Sequence, residues 1–134
     1  MDRKKRLLNG LGILWAITLI LTWFGNGTGT EGIEMKGIVF LVNPIVIISL
    51  ISYFIGINNE KYNQTLNIST ISWSVVIIIE IITFLTWYNF FDESVFNLTI
   101  AFDYSRLGFY ISFFVSLILY FILVYTRKNN YKTI

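Results

Sequence analysis

One charged residue, Glu80, lies inside the long apolar runs, and no position in the chain has a sharper chemical consequence. A carboxyl group about ten residues from the end of a membrane-length helix is about 15 Å deep, near the midplane of a hydrocarbon layer about 30 Å thick. Ionised there it costs several kcal/mol, so it must face neighbouring helices or carry a proton. Helical spacing places Glu80 on one face with Trp73, Val76, Ile77, Thr83, Phe84 and Trp87, a stripe whose polar positions are Glu80 and Thr83. In the preceding apolar run Asn43 and Pro44 lie roughly 9 Å deep. Pro44 lacks an amide hydrogen, tends to bend a helix and frees a carbonyl one turn earlier. The expected intramembrane polar site is therefore Glu80, Asn43, Thr83 and Pro44, with the hydroxyls of Thr18 and Thr22 at comparable depths. Such groups either fix helix packing through hydrogen bonds or bind a proton.

The remaining chemistry is sparse. Asp92, Glu93 and Asp103 fall in one loop, and Arg106 stands beside Asp103, making Asp103 and Arg106 an exterior candidate pair. Carboxylates in general can do acid–base work, yet on a solvated loop they ordinarily remain solvated or form a local ion pair. The chain has no Cys and no His, which removes thiolate and imidazole chemistry, the usual zinc ligand sets and disulfides. The glycines Gly25, Gly27, Gly29 and Gly32 read as a turn-rich connector, without the helix start that a phosphate-cradling loop requires. No enzyme activity, cofactor, metal or nucleic-acid partner is expected.

These residues must be positioned by elements suited to lipid. With 55% hydrophobic and 13% charged residues, the chain stands apart from soluble averages of about 45–50% and about 25%. Four charge-poor stretches, about 7–24, 37–57, 68–90 and 107–126, are each about long enough to span a bilayer. The expected fold is a single all-α membrane domain over 1–134, a four-transmembrane-helix up-and-down bundle with allowance for a short exterior β element. The β-branched and aromatic segment 95–102 is a candidate strand, with residues 33–35 as its candidate partner. The basic run Arg3 to Arg6 resembles the start of a secretory signal, but no small-residue cleavage pattern follows, so the first stretch reads as a retained span.

Lys and Arg number four before the first span, one between the second and third, and three after the fourth; Lys36 and Arg106 lie in the other two loops. Eight against two puts both termini in the cytoplasm, because basic loops are retained there. Trp23, Trp87, Tyr53, Trp73, Tyr120 and Tyr125 read as interfacial anchors near the span ends.

Several features taken together, Leu11-Gly12-Ile13 with Thr22-Trp23-Phe24, Gly32-Ile33-Glu34, Asn43-Pro44, and Arg106-Leu107-Gly108-Phe109-Tyr110, resemble a loose pattern in small four-span bacterial membrane proteins of unassigned role. Some bacteriocin self-immunity proteins are similar in size, basic termini and lack of catalytic groups. Small multidrug transporters are similar in span number and in using one membrane Glu, although there the acid sits in the first span, which has none here. The expected function is non-enzymatic: binding another membrane component in an accessory, sensory or self-immunity role. The alternative is a small oligomeric proton-coupled transporter using Glu80. The expected partners are the lipid bilayer and either another membrane protein or a second copy of the chain.

Overall fold

Pro44 begins the second long helix instead of bending it. The computed structural model describes residues 3–25, 34–59, 62–86 and 107–132. Its elements are helix α1 (Arg3–Ile17), a short 3-10 helix (Thr18–Ile20), strand β1 (Thr22–Gly25), strand β2 (Glu34–Lys36), a second 3-10 helix (Gly37–Val42), and helices α2 (Pro44–Asn58), α3 (Tyr62–Thr86) and α4 (Leu107–Lys132). Proline suits the first helical position because the amide hydrogen it lacks has no intrahelical partner there. Asn43, with extended backbone, accepts a hydrogen bond on its side chain from the Ile45 amide at 2.9 Å and so caps α2. The expected second span thus divides at residue 43.

The expected first span divides as well. The Thr18 hydroxyl donates to the Trp15 carbonyl, a local bond that competes with the helical ladder, and the chain tightens into a 3-10 turn before becoming extended at Leu21. β1 and β2 pair antiparallel, Thr22 with Lys36, Phe24 with Met35 and Gly25 with Glu34. Trp23 is the extra residue in this register, a bulge that re-aims its side chain. The partner of residues 34–36 is therefore the end of the first arm; segment 95–102 lies outside the described residues.

Two helical segments, Gln64–Leu85 and Leu107–Lys128, are long and apolar enough to cross a membrane; α2 is apolar but shorter. Among the described residues, then, two helices and not four meet that requirement alone.

The helices pack through small and hydroxylated residues. α2 and α3 make the most extensive contact. Thr65 donates to the Gly56 carbonyl at 2.6 Å and Ser69 to the Tyr53 carbonyl at 2.8 Å, both across the α2–α3 interface. Ser49, Ser69, Thr70, Ser72, Ser112, Ser116 and Thr126 are all buried, while Ile20, Ile48, Ile71, Leu107, Phe114 and Phe121 are each more than 60% exposed. The interior also holds Leu8, Val46, Ile57, Leu66, Leu119 and Leu123, so core and exterior are both rich in apolar side chains.

The ends of the arms are also ordered. A Cβ on Gly108, at the start of α4, would lie 2.4 Å from the Thr22 carbonyl oxygen, so α4 begins beside β1, beyond the far end of α1. Asn9 and Asn58 exchange two hydrogen bonds, of 2.8 and 2.9 Å, tying the start of α1 to the end of α2. With α1 packed on α4, Arg3 to Arg6 and Arg127 and Lys128 gather at one end and Lys36 stands towards the other.

Candidate functional site

Glu80 lies in the interior, fully buried on α3. Its carboxylate faces the Trp15 indole N–H from α1 and the Ser116 hydroxyl from α4. The contacts are close enough to act electrostatically, yet both Glu80 oxygens, Trp15 Nε1 and Ser116 Oγ are buried without a hydrogen bond of normal geometry. One acid and two donors thus occupy a single buried enclosure contributed by three helices. The great majority of buried polar atoms in proteins are satisfied, so four adjoining orphan atoms mark a place where the fold tolerates cost.

Aromatic rings pack around Trp15. Trp15 meets Trp73 edge-on at 5.3 Å and Trp23 at 6.2 Å; Tyr53 lies 5.0 Å from Trp73. Hydrogen bonds lock these rings. Trp73 Nε1 donates to the Ser116 carbonyl at 3.0 Å, Trp23 Nε1 to the Thr18 carbonyl at 2.9 Å, and the Tyr53 hydroxyl to the Leu8 carbonyl at 2.8 Å. Gly37 makes room for Trp23, since a Cβ there would sit 2.4 Å from the indole. Trp23, Trp73 and Tyr53 are therefore core residues, which corrects the expectation that they anchor at an interface; Tyr125, 64% exposed, still suits that role. Trp87 lies outside the described residues.

The structure does not bond the other expected site residues to Glu80. Asn43 caps α2, Pro44 is exposed at its first position, and the Thr83 hydroxyl donates to the Ile79 carbonyl at 2.8 Å within its own helix. Thr18 is committed to Trp15. Asp103 and Arg106, the exterior candidates, lie outside the described residues. The residues that do face Glu80, Trp15 and Ser116, were missed by sequence reasoning. Trp15 did carry a signal: it falls midway along the first apolar run, at a depth where an interfacial belt has no use for it. Ser116 carried none beyond being a hydroxyl in an apolar run.

Chemically, the enclosure presents one carboxyl group, one fixed N–H donor and one rotatable hydroxyl. It can hold a proton and can redistribute hydrogen bonds around it. No family model matches the chain, and neither a curated protein nor a solved structure matches it.

Proposed function

We propose that the chain is a multi-pass membrane protein whose four helical arms all cross the bilayer, with both termini cytoplasmic. In this reading it is not an enzyme and acts by binding another membrane component, either a further membrane protein or a second copy of itself. The observation that carries this reading is a strongly apolar exterior around an interior that mixes hydroxyls and indoles with leucines: Ile20, Ile48, Ile71, Leu107, Phe114 and Phe121 are exposed. Lipid tails give apolar side chains no reason to hide, and helices in lipid associate through small residues and hydrogen bonds.

Arm length supports four crossings: the 3-10 segment Gly37–Val42 and α2 together rise about 34 Å, at about 2.0 and 1.5 Å per residue, against about 30 Å of hydrocarbon. The gathering of basic residues at one end supports the orientation, since positive residues stay cytoplasmic. A partner-binding role is favoured by an apolar groove of about 220 Å³ between α3 and α4, lined by Ile81, Phe84, Phe109, Tyr110 and Phe113. The resemblance to small four-span and self-immunity proteins agrees with such a role.

A second reading, a small oligomeric proton-coupled transporter, is favoured by one observation, the enclosed Glu80 carboxyl. Liposomes separate the two. Purified protein reconstituted with a trapped pH dye is expected to move no protons, and a photoreactive residue replacing exposed Phe114 or Phe121 is expected, in the producing cell's own membranes, to give one cross-linked species of fixed mass. A proton flux that vanishes in Glu80→Gln would overturn partner binding in favour of transport.

A further inference from the structure

Four orphan atoms in one enclosure are an accounting problem with a simple solution: Glu80 Oε1, Glu80 Oε2, Trp15 Nε1 and Ser116 Oγ. A neutral carboxyl has one O–H donor and a carbonyl acceptor, an indole has one donor, and a serine hydroxyl both donates and accepts. With one proton on Glu80, the carboxyl O–H donates to Ser116 Oγ and Trp15 N–H donates to the carboxyl carbonyl. The Ser116 hydroxyl hydrogen turns to the Ser112 carbonyl, one turn back along α4, as membrane serines commonly do. All four atoms are then satisfied with no net charge. Without the proton, Ser116 rotates to donate to the carboxylate beside Trp15, and the enclosure holds an unbalanced negative charge.

No cation is placed to balance it among the described residues. The basic side chains stand at the element ends: Arg6 is nine residues before Trp15, about 14 Å along α1, and Arg127 is eleven beyond Ser116, about 16 Å along α4. Lys36 precedes the 3-10 segment leading to α2, next to the strand pair. Of the other titratable groups, Tyr53 on α2 is committed to the Leu8 carbonyl, and Tyr120 is a half-buried phenol one turn beyond Ser116.

We propose that Glu80, Trp15 and Ser116 form a proton-binding site joining α1, α3 and α4, occupied while these helices are packed together. Ser116 is its rotor and Trp15 its fixed donor. Release of the proton requires the enclosure to admit water or a cation, which means separating α1 from α3 and α4. The site thus ties helix packing to proton occupancy, whether or not the protein carries protons across the membrane.

Infrared difference spectroscopy of the full chain in detergent micelles at pH 7 tests this. The expected result is a protonated-carboxyl C=O band in wild type that is lost in Glu80→Gln, and that moves to higher frequency in Ser116→Ala and in Trp15→Phe as one hydrogen bond disappears from each. Because variants of a packed interior can fail to fold, wild-type protein labelled with 13C at the glutamate carboxyl gives a mutation-free reading. Of its five glutamates, one should keep the neutral-acid signal at pH 7. Only carboxylate signals in labelled wild type, or a neutral-acid band indifferent to both Ser116→Ala and Trp15→Phe in folded protein, would overturn the proposal. Proton flux in liposomes is a separate readout, so a transport-negative result leaves this test intact.

Discussion

Adding one methyl group at Gly56 should weaken the bundle, because α2 and α3 approach each other closely there. An alanine Cβ would lie 2.2 Å from Ser69 Oγ and 2.9 Å from the Thr65 carbonyl oxygen. The serine oxygen can rotate away, but it then loses its bond to the Tyr53 carbonyl. The Thr65 oxygen is backbone, so the helix itself must move. Overpacking of this kind costs about 1–3 kcal/mol, and an interhelical hydrogen bond in a membrane protein adds about 0.6 kcal/mol. Replacing helical glycine returns roughly 0.5–1 kcal/mol. The net loss is about 1–3 kcal/mol by these terms. Gly10 supplies the control: nothing stands within 4 Å of a Cβ there, so Gly10→Ala should stabilise by about 0.5–1 kcal/mol. The glycine term is common to both, so the two variants should differ by about 1.6–3.6 kcal/mol, at least about fifteenfold in the unfolding equilibrium. Reversible unfolding in mixed micelles with increasing SDS reads the difference directly, with fluorescence of buried Trp15, Trp23 and Trp73 as the signal. If Gly56→Ala proved as stable as Gly10→Ala, the close approach of α2 and α3 would be wrong.

The same unfolding assay checks three further expectations. A double-mutant cycle of Asn9→Ala and Asn58→Ala should return a coupling of about 1 kcal/mol from the reciprocal amide pair, and a value near zero would remove the tie between α1 and α2. Trp73→Phe should cost about 1–2 kcal/mol, because it removes the indole donor to the buried Ser116 carbonyl. Asn43→Ala should cost about 1 kcal/mol by uncapping α2, whereas a bend at Pro44 within a continuous helix would make Asn43 dispensable. Topology has its own assay, helped by the absence of native cysteine. A membrane-impermeant thiol reagent should label Lys4→Cys and Lys128→Cys from the cytoplasmic side and Lys36→Cys from the opposite side; labelling of Lys4→Cys and Lys36→Cys from one side would refute the proposed orientation.

The polar site was half legible in the chain. Glu80 stood out because a charge in an apolar run is visible without any neighbour. Its partners were not, and Asn43 and Thr83 make local hydrogen bonds instead. Asn43 is adjacent to a helix start that needs its oxygen, and Thr83 has a backbone carbonyl four residues back that needs no other helix. Pro44 was noticed for the right property, its missing amide hydrogen, but that property serves a helix start as well as a bend. Trp23 and Trp73 looked like anchors because their positions suited the span ends; a strand bulge and the approach of α4 brought both inside.

What the sequence determined by itself was whatever depends on residue type and spacing along one segment: the helical runs, the apolar bulk, the basic flanks and the acid within the third run. Periodicity and transfer free energy fix those without reference to the rest of the chain. Packing set the rest: where the first arm stops being helical, that residues 34–36 pair with residues 22–25, and that an indole from α1 and a hydroxyl from α4 close around Glu80. Those outcomes rest on contacts between residues distant in sequence, Trp73 with Ser116 or Leu8 with Tyr53, and a linear pattern carries no information about which distant donor will meet which acceptor once the helices pack.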